Sequence, residues 1–321
     1  MKNIRLIIQV ALLVASISFP TASRAQSPGR SDTVPQMRRP LVDSAIAFID
    51  YFDYERAMDC AERLLSISEN KFGVNSIEYA KALDISGEIY YCKGDFENAA
   101  NYYKRAYELK KTLGEEATLS SAKSLNNLAV SEQMRGGFHN SAELLASSIE
   151  IKKNTLGESD SSYLISVHNL ANAFLEIDEL ERASDLFATL LPAKAKIFGA
   201  ESPSYARSLM NQGVLRERLG ATEDAKKCFD SALRILRKNM PDERVEVQKC
   251  ALQLSEVLIK LGEEAQADTL LKSINRNVEK SESATPFDRG LILYSMAVVE
   301  WQKGNFYKSD ELLAKAEDLL A

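Results

Sequence analysis

The stretch AKALDISGEIYYCKGDFENAANYYKRAYELKK, residues 80–111, contains two amphipathic segments separated by a short break. In the first segment Leu83, Gly87 and Tyr90 recur at i, i+4 and i+7, a spacing that places them on one face of an α-helix. The break contains Gly94, and a second apolar stripe with helical spacing follows it. Glycine is favoured where a helix ends in a left-handed backbone conformation. The stretch therefore predicts two helices joined by a tight turn.

The break between the two segments recurs along the chain with a fixed period of 42 residues. One position of the break is held mostly by glycine, at Phe52, Gly94, Gly136, Asp178, Gly220, Gly262 and Gly304. A position five residues later holds only small side chains, at Ala57, Ala99, Ser141, Ala183, Ala225, Ala267 and Ser309. A constant period of this length indicates a stack of identical helix pairs. We therefore predict an all-α fold, a right-handed α-solenoid of about seven helix pairs.

The repeat resembles the tetratricopeptide repeat, whose signature is a large residue, Leu-Gly, an aromatic residue, then Ala, an aromatic residue and Ala. In the second unit the matching residues are Leu83, Ser86-Gly87, Tyr90, Ala99, Tyr103 and Ala106. In the fourth unit they are Val167, Leu170-Ala171, Phe174, Ala183, Phe187 and Leu190. In the register of that family the units begin at Arg38, Ala80, Ala122, Leu164, Ala206, Gln248 and Gly290.

The repeat departs from the common form of the family in its length. Its period is 42 residues, where about 34 are usual. The closing proline is replaced, for example by Lys111 and Lys153. The extra residues are expected to follow the second helix. Such lengthened repeats resemble the kinesin-light-chain class, here as an exported bacterial type. The resemblance implies a scaffold that binds other proteins and is not an enzyme.

The first residues of the chain differ in character from the repeats. Lys2 and Arg5 precede an apolar run, and Ser23-Arg24-Ala25 offers small residues at the two positions that a signal peptidase reads. We predict a signal peptide that is cut after Ala25, with an uncleaved anchor as the alternative. The predicted organisation is signal peptide 1–25, disordered leader 26–37 and repeat array 38–321. The mature protein is then periplasmic or secreted, without membrane insertion.

The charge and the histidine content exclude several classes of function. The chain has a formal net charge of −6 and no basic cluster, which argues against nucleic acid and anionic membranes as partners. Its two histidines, His139 and His168, lie in different units, so no pair of nucleophile and base is indicated. We expect no catalytic residue, no metal and no cofactor.

The four cysteines are Cys60, Cys92, Cys228 and Cys250. They lack the spacing of zinc ligands. In an exported protein an even number of cysteines is compatible with disulfides, and Cys60 and Cys92 fall on helices that we expect to be adjacent. The alternative is that all four are small apolar side chains buried between helices.

The resemblance implies that the first helices of the pairs line a concave groove. At one groove position the central units carry an amide, as Asn127, Asn169 and Asn211. Because an amide both donates and accepts hydrogen bonds, these residues are predicted to hold the backbone of a bound peptide. The alternative is that they only link neighbouring helices.

A second groove position is basic in five of the seven units, at Arg39, Lys81, Lys123, Arg207 and Lys249. In a chain of negative net charge, this local reversal of sign indicates an acidic peptide as ligand. The alternative is a set of solvated residues in the first turn of each helix. His168 also lies in the predicted groove, and its titration would make binding depend on pH.

Towards the C-terminus the predicted groove becomes apolar, and it includes Tyr294 and the sole tryptophan, Trp301. The first helix of the last unit is apolar on nearly all sides, and such a helix requires cover on more than one face. We therefore predict either a homodimer through residues 290–321 or a hydrophobic ligand residue gripped by Tyr294 and Trp301.

These observations favour a non-catalytic scaffold that binds a peptide or a segment of a partner protein in its groove. Two other functions are kept as alternatives. One is a structural component that oligomerises through its apolar C-terminal repeat. The other is the sensory ectodomain of a larger regulatory system.

Overall fold

A computed structural model of the chain describes residues 38–51, 53–115, 118–242, 244–282 and 284–320. Within these ranges the protein forms fourteen α-helices and no β-strand, so the prediction of an all-α fold is confirmed. The predicted signal peptide and leader, residues 1–37, lie outside the described residues, as do Phe52 and the side chain of Arg39.

The helices are α1 Arg38–Asp50, α2 Tyr54–Phe72, α3 Ile77–Cys92, α4 Phe96–Thr112, α5 Leu119–Met134, α6 Phe138–Leu156, α7 Ser161–Glu176, α8 Leu180–Phe198, α9 Pro203–Arg218, α10 Thr222–Asn239, α11 Val245–Lys260, α12 Glu264–Lys280, α13 Pro286–Gln302 and α14 Phe306–Leu320. None of these helices is long and apolar enough to span a membrane. The described chain divides between Ile177 and Asp178 into two compact units. The N-terminal unit holds α1–α7 and the C-terminal unit holds α8–α14.

The turn between a first and a second helix requires a left-handed backbone. Gly94 has a φ of +84° in this turn. At the same position Asp178 has a φ of +61°, and it is the one residue other than glycine with positive φ in the described chain. Asp tolerates this conformation better than most side chains because it can hydrogen-bond locally. The glycine pattern in the sequence thus reflects a requirement on backbone conformation.

The position five residues after the turn glycine is the core of every repeat. All seven of its side chains are at most 1% exposed: Ala57, Ala99, Ser141, Ala183, Ala225, Ala267 and Ser309. Four residues further along the second helix, the aromatic side chains Tyr103, Phe187 and Phe229 are buried as well. Small and large side chains therefore alternate along the buried face, which lets the helices pack closely.

Gly213 on α9 shows how close this packing is. A Cβ atom on this residue would lie 2.8 Å from the ring of Phe229 on α10. We expect Gly213→Ala to lower the free energy of unfolding of the C-terminal unit by about 1–2 kcal/mol, because the cost of overpacking exceeds the gain in helix propensity. Urea unfolding followed by the fluorescence of Trp301 measures this loss.

A second substitution checks the cause of that loss. If the ring is the obstacle, adding Phe229→Leu to Gly213→Ala should cost less than the sum of the two single losses. Additive losses would show that the contact between Gly213 and Phe229 is not responsible.

The extra residues of the lengthened repeat extend the second helix. α4 runs to Thr112, α6 to Leu156 and α8 to Phe198, so the prediction that these residues follow the helix is wrong. Lysine and leucine favour helix, and α6 ends only where Gly157 adopts a φ of +83°. The longer second helix reaches the start of the first helix of the next repeat.

The apolar helix α13 is covered within its own unit. It packs against α11, α12 and α14. Leu291 and Ile292 consequently have no exposed surface. These three neighbouring helices account for apolar residues on nearly all sides of α13.

All four cysteines lie in the described part of the chain and none of them is in a disulfide, so Cys60 and Cys92 are not joined. Cys60 and Cys250 are buried, as one of the two alternatives predicted, and Cys228 is half-buried. Cys92 is exposed, so that prediction is wrong for this residue. It is the last residue of α3, where the helix leaves the core at the turn.

Candidate functional site

The N-terminal unit contains a cavity of about 240 Å³ where three helices meet. Its wall consists of α5, the end of α6 and the start of α7. The cavity is lined by Leu119, Lys123, Asn126, Asn127, Lys152, Leu156, Ser162 and Ile165. Two of these residues, Lys123 and Asn127, are among those predicted to bind a peptide. The cavity thus combines two lysines and two amides with aliphatic side chains.

Capping interactions fix where the three helices begin and end. α5 begins after Thr118, whose side-chain oxygen accepts a hydrogen bond from the N–H of Ser121. α7 begins after Asp160, whose carboxylate accepts hydrogen bonds from the N–H groups of Ser162 and Tyr163. Such caps satisfy N–H groups that lack a partner within the helix. Because α6 is 19 residues long, it carries Lys152 to the first turn of α7.

Lys152 is the buried cation of the cavity, with only 6% of its surface exposed. Its Nζ donates hydrogen bonds to the backbone oxygen of Ser162 at 3.2 Å and to Oγ of Ser166 at 2.7 Å. The hydroxyl of Ser166 in turn donates to Oδ1 of Asn126 at 2.8 Å. Two of the three ammonium protons are therefore bound by oxygen atoms of α7.

The surroundings of Lys152 lower the pKa of its ammonium group. Burial lowers the pKa of Lys152 to about 8; the carboxylate of Asp160 opposes this effect, and the positive charge of Lys123 adds to it. At neutral pH most molecules still carry the ammonium form. Lys152 is therefore positively charged at neutral pH and can lose this charge in mildly alkaline solution.

The preceding repeat builds the same arrangement with one difference. There Lys110, which has no exposed surface, donates to the backbone oxygen of Ser120 at 3.0 Å and to Oγ of Ser124 at 2.7 Å. Its third hydrogen bond goes to Oδ2 of Asp84 at 2.6 Å. The hydroxyl of Ser124 donates to the other oxygen of the same carboxylate, also at 2.6 Å. Lys110 and Asp84 thus form an ion pair within the protein, in which the lysine is buried and the carboxylate is 14% exposed.

The two arrangements correspond residue by residue at the 42-residue period. The counterparts are Asp84 and Asn126, Lys110 and Lys152, and Ser124 and Ser166. The lysine and the serine are the same in both repeats, whereas the carboxylate of the first repeat is a neutral amide in the second. Lys152 therefore lacks the internal counter-ion that Lys110 has.

A third lysine of this series, Lys194, lies in the C-terminal unit and has no exposed surface. Its Nζ donates to the backbone oxygen of Ser204 at 3.3 Å. Burial lowers its pKa to about 7, and the charge of Arg207 adds to this effect. Among the described residues no carboxylate pairs with it. Of the three lysines, Lys194 thus has the fewest hydrogen-bond acceptors for its buried charge in the described part of the chain.

The three predicted groove asparagines are all buried. In the N-terminal unit Asn127 is 4% exposed and lies on the cavity wall, whereas Asn169 and His168 have no exposed surface. The backbone oxygen of Asn169 accepts a hydrogen bond from Nε2 of Gln133 at 3.0 Å, which links α5 to α7. Asn211, in the C-terminal unit, is 5% exposed. Burial of Asn169 fits the alternative of a structural link, and binding by Asn127 and Asn211 stays a prediction.

The predicted basic positions have different surroundings. Lys81 and Lys123, in the N-terminal unit, are exposed. In the C-terminal unit Arg207 is half-buried and lies 3.6 Å from the carboxylate of Glu246, while Lys249 is buried. Of the basic positions whose side chains are described, only Lys123 lines the cavity.

The predicted aromatic residues of the C-terminal unit, Tyr294 and Trp301, have different surroundings, and their joint binding of a hydrophobic residue stays a prediction. Tyr294 packs against the buried Leu291. Trp301 is 53% exposed and makes an edge-to-face contact with Phe306, with ring centroids 4.8 Å apart. Phe306 is itself 53% exposed, so this aromatic pair lies at the surface.

Lys152 was missed from the sequence because a lysine near the end of an amphipathic helix is usually exposed there. The available signal was its period, because Lys110, Lys152 and Lys194 recur every 42 residues. Serines recur in step with them, at Ser124, Ser166 and Ser208. A lysine and a serine that recur together every 42 residues indicate that the same contact between neighbouring helices is repeated along the chain. This signal is visible only when several units are compared.

Comparison with protein families gives two matches. Both family models carry the description Tetratricopeptide repeat, and they match residues 43–112 and 121–162. The first match covers most of α1 and all of α2, α3 and α4, and the second covers nearly all of α5 and all of α6. No curated protein matches this sequence.

Solved structures share the fold at low sequence identity. A putative kinesin light chain with nearly identical repeats, from Podosopora anserina, is 22% identical, with a TM-score of 0.55; the match covers 63% of this chain and 96% of that one. The apo quorum sensor NprR from B. thuringiensis is 14% identical, with a TM-score of 0.63, covering 89% and 88% of the two chains. NprR in complex with its cognate peptide NprX is 14% identical, with a TM-score of 0.60, covering 88% and 76%.

Proposed function

Since this chain contains tetratricopeptide repeats, we propose that it is a non-catalytic scaffold and that its N-terminal unit binds a segment of another protein over the cavity beside Lys152. The observation that carries this proposal is the cavity itself. It brings a buried cation, two amides and aliphatic side chains to one opening. These groups together suit a side chain that is partly apolar and partly polar.

The size of the cavity supports a binding role. Pockets for drug-sized molecules measure about 300–1,000 Å³. At about 240 Å³ this cavity suits one side chain of a longer ligand. The solved structure of NprR with its peptide NprX supports the same class of ligand for this fold. We therefore favour an extended peptide segment, with one residue anchored in the cavity.

A selection from a random peptide library tests this proposal. The library is displayed on phage and selected on the purified protein, on Leu156→Asp and on Phe72→Asp. Leu156 lines the cavity, and Phe72 is its counterpart two repeats earlier; both are 42% exposed and end a second helix. We expect Leu156→Asp to weaken binding of the selected peptides at least tenfold and Phe72→Asp to leave it unchanged.

Two results would contradict the proposal. One is an equal loss in both variants, because the cavity would then not be the site. The other is the absence of any enriched peptide on a folded protein. If no peptide is enriched and the mass in solution exceeds that of the monomer, the result would favour the second candidate function, which is assembly into a larger complex.

The assembly function has its own supporting observation in the C-terminal unit. Trp301, Phe306 and Tyr307 are 53%, 53% and 87% exposed, an unusual amount of aromatic surface for one short stretch. Under this proposal a second copy of the chain or a partner protein covers these rings. The predicted signal peptide adds a proposal on location, namely that either partner is met in the periplasm or outside the cell.

A further inference from the structure

Resting on the proposed function, we infer that the cavity recognises a carboxylate, which takes the place at Lys152 and Lys123 that Asp84 takes at Lys110 one repeat earlier. The ligand would be a protein segment with an Asp or Glu side chain, or with its terminal carboxylate, at the anchoring position. The protein's own second repeat serves as the template for the contact.

The hydrogen bonds of the two lysines are the first step of the inference. Lys110 donates three, and the third goes to the carboxylate of Asp84. Lys152 donates the equivalent two, to Ser162 and Ser166. Within the described part of the chain, its third proton has no acceptor. A ligand oxygen in the cavity would complete the set.

The charge at the site is the second step. Replacement of the carboxylate by the amide of Asn126 leaves Lys152 with no ion-pair partner in the described residues. Lys123, on the same wall, adds a second positive charge. A carboxylate that enters the cavity meets both lysines, and charge-assisted hydrogen bonds of this kind are about twice as strong as neutral ones.

The remaining charged group near Lys152 does not fill this role. Asp160 faces the site from the start of α7, but its carboxylate accepts hydrogen bonds from the backbone N–H groups of Ser162 and Tyr163. That carboxylate caps α7 and forms no ion pair with Lys152. The site therefore keeps its positive charge in the free protein.

The probes for a test are three synthetic heptapeptide libraries that differ only in where a carboxylate stands. The first has Glu at the central position and an amidated C-terminus. The second has Gln at the centre and the same amide. The third has Gln at the centre and a free terminal carboxylate. All other positions are randomised without Asp or Glu. Retention of each library is measured on the purified protein at pH 7.

We expect the protein to retain one of the two carboxylate libraries at least tenfold more than the Gln amide library. The preferred library identifies whether the carboxylate comes from a side chain or from a chain end. Lys152→Met and Asn126→Asp should each abolish the preference, whereas Lys153→Met should keep it. Lys153 is the matched control because it follows Lys152 on α6, carries the same charge and is exposed.

The Asn126→Asp variant keeps the test valid if Lys152→Met does not fold. It recreates the arrangement that Asp84 and Lys110 already form in this protein, so we expect it to fold. The preference should also decline as the pH is raised from 7 to 9.5, because Lys152 then loses its proton. A merely structural role of Lys152 would not produce this dependence on carboxylate and pH together.

The outcomes separate the inference from the function on which it rests. Equal retention of all three libraries, abolished by Leu156→Asp, would overturn the carboxylate inference and leave peptide binding intact. Retention of none would overturn both. A carboxylate preference that survives in Lys152→Met and Asn126→Asp would also overturn the inference, because another basic group would then be responsible.

Discussion

Replacing Lys110 by alanine is expected to lower the free energy of unfolding of the N-terminal unit by about 3–5 kcal/mol. The side chain has no exposed surface and donates three hydrogen bonds. Without it the carboxylate of Asp84 loses its cation, and the backbone oxygen of Ser120 loses one of its donors. Removing one member of a buried pair costs more than the pair contributes, because the other charge stays buried.

Hydrogen exchange of the amides of α4 and α5 measures this change, because the sole tryptophan lies in the other unit. The neighbouring Lys111 is exposed and serves as the control, and we expect Lys111→Ala to cost less than about 0.5 kcal/mol. Adding Asp84→Ala to Lys110→Ala should recover part of the loss, since no unpaired charge is then left. Equal losses for Lys110→Ala and Lys111→Ala would show that the buried pair contributes nothing.

Replacing Lys194 by methionine is expected to change stability in the opposite direction. It should raise the free energy of unfolding of the C-terminal unit at pH 6 by about 1–4 kcal/mol. Lys194 is equally buried, yet no carboxylate of the described residues offsets its charge. Methionine fills a similar volume without a charge that must be buried. Removal of the lysine charge at the same repeat position thus has an effect that depends on the counter-ion.

The pH dependence of this gain follows from the pKa of Lys194. Burial lowers that pKa to about 7 in the folded protein, whereas an unfolded lysine titrates near 10.4. Between these pH values the unfolded state binds more protons, so the stability of the natural protein rises with pH. Below about pH 7 both states are protonated, and the full cost of burying the ammonium is present. The advantage of methionine should therefore be largest at pH 6 and shrink towards pH 10.

Urea unfolding followed by Trp301 fluorescence reports on this unit, because Trp301 contacts Phe306 in the fold. At each pH the free energy of unfolding of the natural protein is subtracted from that of the variant. The contribution of other titrating groups cancels in this difference. Lys196→Met, at an exposed position of the same helix, should show no such trend. A constant difference between pH 6 and 10 would mean that Lys194 is not protonated differently in the two states.

The fold could be predicted because its determinants repeat. Gly94 and its counterparts mark the left-handed turn, and Ala99 and its counterparts mark the closest packing, so seven copies reinforce each signal. Asp178 was placed in the turn by register alone, and its φ of +61° agrees. The extent of the second helices was harder to predict, since no proline marks their end.

The candidate site could be predicted only in part. Lys123 and Asn127 were identified from their positions on first helices, and both line the cavity. Lys152 and Leu156 belong to the extension of α6, whose contact with α7 depends on helix length rather than on local pattern. Conversely, His168 and Asn169 share the predicted groove register but are hidden, because burial depends on how adjacent helices pack.

The lysine that joins one repeat to the next also limits how such an array can evolve. Repeat proteins commonly change length by duplication or loss of whole units during recombination. Here a unit that ends with Lys110 or Lys152 must be followed by one that begins with the matching serine, Ser124 or Ser166. A unit inserted between them without both partners would bury an ammonium group with too few acceptors. The order of the repeats is therefore constrained by chemistry at their junctions, even though the helix pairs are alike in shape.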